Sequence, residues 1–334
     1  MYRLIHITLA AVVMCSGLSI IAAQQTQNIA LFEVQVDGKY GFIDSTGKIV
    51  IEPKLDAVGE FSEGLVWFTR AGKVGFINPS GQVVIEPSFD VAGDFIGGLA
   101  RVAIKGKNSW RYIDRTGRVI LRPRVDWAEE FSDGMAVVGI YNKHYKYGFI
   151  DHAGRTVIPI RFDQVWEFSE GLAPVIVNSK AGYVNKKGQI VIPTRFDGAG
   201  RFREGLANVE VAGKYGFIDR SGKVVIAPKY DEAWGFSEGL ARVKVSGQLD
   251  KWTFVDKKGD SMPDFYDWAG EFSEGLANVE LDGRVGFIDK QGRFVIEPQF
   301  ERAYPFENGI AAVFAGDKRG YIDKTGKYIW NPTK

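Results

Sequence analysis

A four-residue cassette, Gly-Phe-Ile-Asp with variants, recurs nine times in the 334 residues. It starts at Gly41, Gly75, Arg111, Gly148, Gly182, Gly216, Thr253, Gly286 and Gly320, at intervals of 33 to 37 residues. A second cassette, Phe-Ser-Glu-Gly-Leu with variants, starts at Phe61, Phe95, Phe131, Phe168, Phe202, Phe236, Phe272 and Phe306 and keeps the same period. Two motifs with one period are the signature of a supersecondary unit in tandem, which buries its apolar face only against its neighbours. Length alone suggests about two domains. The repeat replaces that estimate with a single array over residues 24–334.

Residues 205–236 show the unit. Ala207, Val209 and Val211 alternate with Asn208 and Glu210, the pattern of a half-buried strand. Gly213-Lys214 turns the chain, Tyr215 to Asp219 forms a second strand, and Lys223 to Ala227 forms a third. Between the second and third stands Asp, or Asn in Asn78 and Asn185, with glycine three residues later in all nine copies. An Asx side chain bonds its own backbone two residues on, and glycine takes the left-handed conformation that closes such a turn. Insertions at 105–110, 141–147 and 246–252 fall in the first hairpin loop, where added length is tolerated.

A proline follows the third strand, as in Pro53, Pro87, Pro159, Pro193, Pro228 and Pro298. Without an N–H it is expected to end strand pairing. The connector after it carries an acid five residues before each Phe: Asp56, Asp90, Asp126, Asp163, Asp197, Asp231, Asp267 and Glu301. A fourth short strand and a single helical turn both fit this connector.

The Gly-Lys-Tyr-Gly-Phe-Ile-Asp runs at 38–44 and 213–219 resemble the bacterial WG repeat family, also called KWG repeats. The downstream Gly-Lys-x-Val-Ile-x-Pro and Phe-Ser-Glu-Gly-Leu-Ala segments match as well, and the resemblance covers nearly all of 29–332. The name-giving Trp survives at Trp110 and Trp252, where Arg111 and Thr253 replace the glycine. The resemblance implies a β-rich module with a binding role and supplies no catalytic residue.

The fold class is therefore all-β, built from about nine tandem hairpin or meander repeats of roughly 35 residues. Two architectures fit: an open β-solenoid or superhelical array, and a closed propeller of eight or nine blades. Complete three-strand units at both ends, with no split unit to staple a ring, favour the open array.

Arg3, the apolar run Leu4 to Ala23 and the abrupt change at Gln24 read as a signal peptide over residues 1–23, cleaved near Ala23. An uncleaved anchor fits the same length, against the polar His6, Thr8, Ser16 and Ser19. Cys15, the single cysteine, follows Met14 rather than the small residue that lipid attachment needs. Cleavage leaves no cysteine for disulfides, thiolate chemistry or zinc. The expected location is secreted, periplasmic or at the cell surface, without stable membrane insertion of the mature chain.

With 42 basic and 41 acidic residues, no net field favours nucleic acid. Neither a phosphate-cradling loop nor a nucleophile motif is present, so no cofactor and no catalytic residue is assigned. His144 and His152 fall in one repeat, but nothing supplies the further ligands a metal site needs. The recurring acids Glu63, Asp133, Glu170, Glu204, Glu238 and Glu274 resemble turn residues that satisfy backbone donors more than a glycosidase pair.

Residues that do not recur are better ligand candidates than those that do. Trp127, Trp166, Trp234, Trp268 and Tyr304 occupy connectors where other copies have Gly59, Gly93, Gly200, Gly270 or small and polar residues. Trp67, on the polar face of its strand, is a weaker addition. An aromatic stripe suits protein hot spots or sugar stacking, while filling gaps between units accounts for it as well. The expected function is a non-catalytic repeat scaffold binding a protein partner. A glycan- or cell-wall-binding module and a propeller-type hydrolase are the alternatives.

Overall fold

The computed structural model describes residues 30–104, 110–245, 247 and 250–332. The proposed signal peptide at 1–23 and parts of two hairpin insertions lie outside them.

Each unit is an antiparallel meander. In the fifth, Leu172–Val177 pairs with Lys180–Asn185, which pairs with Ile190–Phe196. The connector adds a fourth strand on the other edge, Gln164–Val165 against Leu172–Val177. Connectors are thus short strands rather than helical turns. The Asp turn forms as the sequence indicates: Asp219 Oδ1 accepts the Ser221 and Lys223 N–H groups at 2.9 and 3.0 Å. Gly222 closes it at φ +84°.

Val119–Leu121 and Tyr328–Trp330 stop before Pro123 and Pro332 as expected, but the other third strands run through their prolines. Ile190–Phe196 runs through Pro193, and the register jumps so that Tyr183 faces Ile192 while Ala181 faces Phe196. The extra residues bulge across Gly182, where an added Cβ would lie 2.5 Å from the Ile192 carbonyl oxygen. Proline fits a bulge that asks for no N–H. Where Arg111 and Thr253 replace this glycine, the crossing is lost. The third unit keeps only Val119–Leu121, and the seventh only the isolated bridges Val255 to Ser261 and Trp252 to Tyr266.

Neighbouring units pack face to face. Ala181, Tyr183 and Ile192 of the fifth unit meet Ala207, Val209 and Ile218 of the sixth. Across each such interface, the aromatic ring of the first cassette packs edge-on against the Phe of the next unit's second cassette. Phe42–Phe61, Phe149–Phe168 and Phe217–Phe236 are examples, with centroids 4.8 to 4.9 Å apart.

The first and last units pack on each other in the same way, so the expected open array is wrong and the chain forms a closed β-propeller ring. Phe32 lies 5.7 Å from Tyr321, and Val34, Ile43, Ile310 and Tyr321 share one core cluster. The Tyr321 hydroxyl donates to the Glu33 carbonyl at 2.7 Å, and Arg319 pairs with the Glu33 carboxylate. Ring closure needs no split unit, because side-chain packing does what a shared strand does elsewhere. Nine units fill eight sheets, since the sixth and seventh share Val224–Ala233, where Tyr230 pairs with both Tyr215 and Val245.

The connectors line the inner rim. Arg203 and Glu271 stand two units apart yet form an ion pair at 2.6 Å, an approach that only positions near the ring axis permit.

Candidate functional site

The second-cassette acids, and six of the eight connector acids, are engaged in joining units among the described residues. Glu204 accepts the Gly239 N–H at 3.0 Å and pairs with Lys257 at 3.0 Å, both from the next unit. Glu63, Asp133, Glu170, Glu238 and Glu274 repeat this contact with Gly98, Gly171, Gly205, Gly275 and Gly309. The second-cassette acids themselves sit at φ near +50° in two-residue turns, a conformation that costs a non-glycine residue about 1 kcal/mol. Charge-assisted bonds to the neighbour offset that strain. The Ser that precedes every one of these acids except Glu204 adds another link, as in Ser169 Oγ donating to the Phe202 carbonyl at 2.7 Å.

The connector acids staple the opposite face. Asp197 binds Lys180 of the fifth unit at 2.5 Å and accepts the Ala212 N–H of the sixth at 2.7 Å. These bonds hold its carboxyl below the usual carboxylate range, the Lys180 hydrogen bond first among them. Sequence reasoning gave the second-cassette acids a structural role but placed their partners within the turn; the partners lie one unit away. His144 and His152 stand at opposite ends of the strand His144–Asp151, roughly 25 Å apart at 3.3 Å per residue, and cannot share an ion.

The five connector aromatics occupy two registers. Trp127 and Trp268 directly follow the connector acid, while Trp166, Trp234 and Tyr304 come two residues later. Strand alternation puts both positions on one exposed side, opposite the buried Ala128, Ala233, Ala269 and Ala303. The four Trp residues are 39 to 48% exposed and Tyr304 55%.

They form two pairs and a single residue rather than one stripe. Trp127 and Trp166 wall a groove of about 400 Å³ with Tyr147, Val137, Gln164, Glu129 and Glu167. Trp127 is fixed by its Nε1–H, which donates to Glu129 at 2.6 Å, and by Trp110 edge-on at 5.9 Å. Trp234 and Trp268 share Arg242, whose guanidinium lies 4.5 and 5.7 Å from the two ring centres. Tyr304 lies apart, at the seam, in a cavity of about 900 Å³ that also contains Glu33, Phe61, Phe306 and Arg319. The weaker candidate Trp67 covers Gly59, where a Cβ would strike its Nε1 at 2.1 Å.

Sequence reasoning missed the arginines that hold these rings. Arg101 lies 4.7 Å over Trp110 and donates to the Ala128 carbonyl. Arg242 lies 5.7 Å over Trp252 and donates to the Ala269 carbonyl at 2.5 Å. Arg101, Trp110 and Trp127 thus match Arg242, Trp252 and Trp268 position for position, four units on around the ring. Arg101 with Trp110 and Arg242 with Trp252 belong to the units that lost the crossing glycine, and Trp127 and Trp268 to the units that follow them. The signal was available: like the aromatics, these arginines stand at a repeat position held elsewhere by Asn208, Asn278 or Ala312.

Burial pushes the Glu129 carboxyl above its usual range, and Glu130 and Glu167 add to the rise, against the Trp127 hydrogen bond and Arg101. Burial likewise lowers the Arg242 pKa, with Glu271 and Glu232 opposing.

No curated protein matches the chain. Among solved structures, a eukaryotic initiation factor is similar over 91% of this chain and 95% of its own, at 10% identity and a TM-score of 0.65. That likeness shows the propeller fold alone. BamB from Moraxella catarrhalis covers 91% and 92% at 11% identity, with a TM-score of 0.41. The WG containing repeat model matches residues 40–73, 75–107, 110–143, 147–180, 182–215, 215–248, 266–284 and 286–318. With most of its length accounted for by these repeats, the chain belongs to the WG repeat family.

Proposed function

We propose that the ring is a non-catalytic scaffold that binds a protein partner through the aromatic inner rim of its fourth and fifth units. The observation that carries this reading is the groove between Trp127 and Trp166. Two large rings from successive connectors stand half-exposed on one side, and Glu129 and Trp110 hold the first of them in place. Rigid, partly exposed aromatic anchors in a concave setting are the residues that dominate protein interfaces. The engagement of the second-cassette acids and of most connector acids in inter-unit staples supports a role without turnover. The apolar run at 1–23 supports a location outside the cytoplasm.

The test is capture from envelope and extracellular material by the wild type and by a Trp127→Ala/Trp166→Ala variant, with folding of both checked by circular dichroism. A protein retained by the wild type and lost by the folded variant supports the reading. Equal capture by both moves the interface elsewhere. Capture of glycan in place of protein contradicts it.

A further inference from the structure

Both carboxylates that line the groove between Trp127 and Trp166 are already engaged. Glu129 pairs with Arg101 at 3.3 Å and accepts the Trp127 indole N–H, and Glu167 pairs with Arg201 at 3.3 Å. The other polar side-chain groups of the groove are the Tyr147 hydroxyl, the Trp166 indole N–H and the Gln164 carboxamide, and none of these has a hydrogen-bond partner among the described residues. The groove is therefore electrically balanced, with its acceptors occupied and donors to spare.

Its walls are rings braced against one another. Tyr147 lies across Gly139, where a Cβ would stand 3.0 Å from the phenol ring. Tyr145 stacks on Tyr147 at 5.8 Å and 18°, and Trp110 meets Trp127 edge-on at 71°. Tyr145 stands on the added length of the fourth unit's hairpin. The strands Met135–Asn142 and His144–Asp151 have eight residues each, against six for Leu172–Val177 and Lys180–Asn185. Val137 and Val165 add aliphatic surface to the groove.

A proline-rich segment has the complementary chemistry. Each proline brings a carbonyl acceptor and no N–H donor, and a polyproline II helix has no internal hydrogen bonds. Its shape is set before binding, so an aromatic-lined groove takes it with little loss of entropy. A sugar fits less well. Its hydroxyls donate as well as accept, while the lining carboxylates are engaged, and rings braced in this way present ridges rather than a flat platform. We propose that the groove receives a proline-rich segment of the partner protein in the polyproline II conformation. The proposal rests on the protein-binding reading above and names the kind of segment bound. Proline rings lie against Trp127, Tyr147 and Trp166, and backbone carbonyls accept the Tyr147 O–H and the Trp166 Nε1–H.

The test measures binding of decaproline to the full-length protein by isothermal titration calorimetry, beside a Gly-Ser peptide of the same length and cellohexaose. Trp166→Ala removes one wall, and Tyr147→Phe keeps the ring and removes one donor; circular dichroism checks the folding of both. Decaproline should bind, about tenfold or more weaker to Trp166→Ala and about threefold or more weaker to Tyr147→Phe. The Gly-Ser peptide should show no saturable binding. Decaproline binding that is unchanged in Trp166→Ala overturns the site. Equal binding of the two peptides overturns the choice of proline and leaves the protein-binding reading standing. Binding of cellohexaose and of neither peptide overturns both. Binding of none of the three overturns the inference, and capture of a partner from cell material then decides the broader reading.

Discussion

Arg319 of the last unit and Glu33 of the first form a part-buried ion pair across the seam of the ring, and Tyr321 donates to the Glu33 backbone beside it. Burial pushes the Glu33 carboxyl above its usual range despite the arginine, and holds the Tyr321 hydroxyl up at about 12. Removing either partner strands the other in a desolvated site. Arg319→Ala and Glu33→Ala are each expected to cost about 1–3 kcal/mol of stability. Their effects should be clearly non-additive in urea unfolding. Additive losses would mean that the two residues act independently and do not close the ring together.

The crossing glycines separate steric need from conformational need. At Gly182 a methyl group meets the Ile192 carbonyl oxygen at 2.5 Å, whereas at Gly205 nothing lies within 4 Å and only a φ of +84° resists substitution. Gly182→Ala should cost about 3 kcal/mol or more, because the third strand must move, and Gly205→Ala about 1 kcal/mol. Urea midpoints of the two variants check this. Equal losses would show that the crossing tolerates a side chain.

Acid should unfold the ring. Fifteen carboxyls among the described residues have folded pKa values below their ordinary ones, including the turn acids Asp44 and Asp219 and the staple acids Asp197 and Glu204. A depressed folded pKa adds stability that is complete above the unfolded pKa, about 4, and is lost as pH falls through the folded pKa. Glu33, Asp94 and Glu129 are raised and work in the opposite sense, but they are few. Melting temperature should hold steady above about pH 5 and drop steeply below about pH 4. A rise on acidification would mean that the raised group controls the balance.

The rim aromatics should contribute little to stability. Trp166 is 39% exposed, so Trp166→Ala should cost about 1 kcal/mol or less while weakening partner capture. Trp127→Ala should cost more, because it also empties the space between Trp110 and Glu129. Thermal melts of both variants test the order.

The unit itself was legible because the cassettes specify it locally. Alternation in 207–211 gives the strand, and Asp219 with Gly222 gives the turn. Ring closure was not legible, because it depends on curvature accumulated over nine units and on side chains as remote as Phe32 and Tyr321. The absence of a split unit pointed the wrong way, since packing alone closes the seam. The connector aromatics were legible as non-recurring residues, but their grouping was not. Pairing Trp127 with Trp166 and Trp234 with Trp268 depends on which rings successive units bring together on the inner rim. Arg101 and Arg242 carried the same non-recurrence and were overlooked because a charged residue in a half-buried strand reads as solvent-facing.

Closure of the ring is the central claim, and small-angle X-ray scattering in solution tests it most directly. A closed, compact ring of this chain length should give a radius of gyration of about 20 Å. Nine units stacked about 10 Å apart in an open array would span roughly 90 Å and give about 26 Å or more. The lower value, with a distance distribution that ends well short of 90 Å, is predicted. The higher value with an extended tail would contradict the seam formed by Glu33, Phe32, Arg319 and Tyr321.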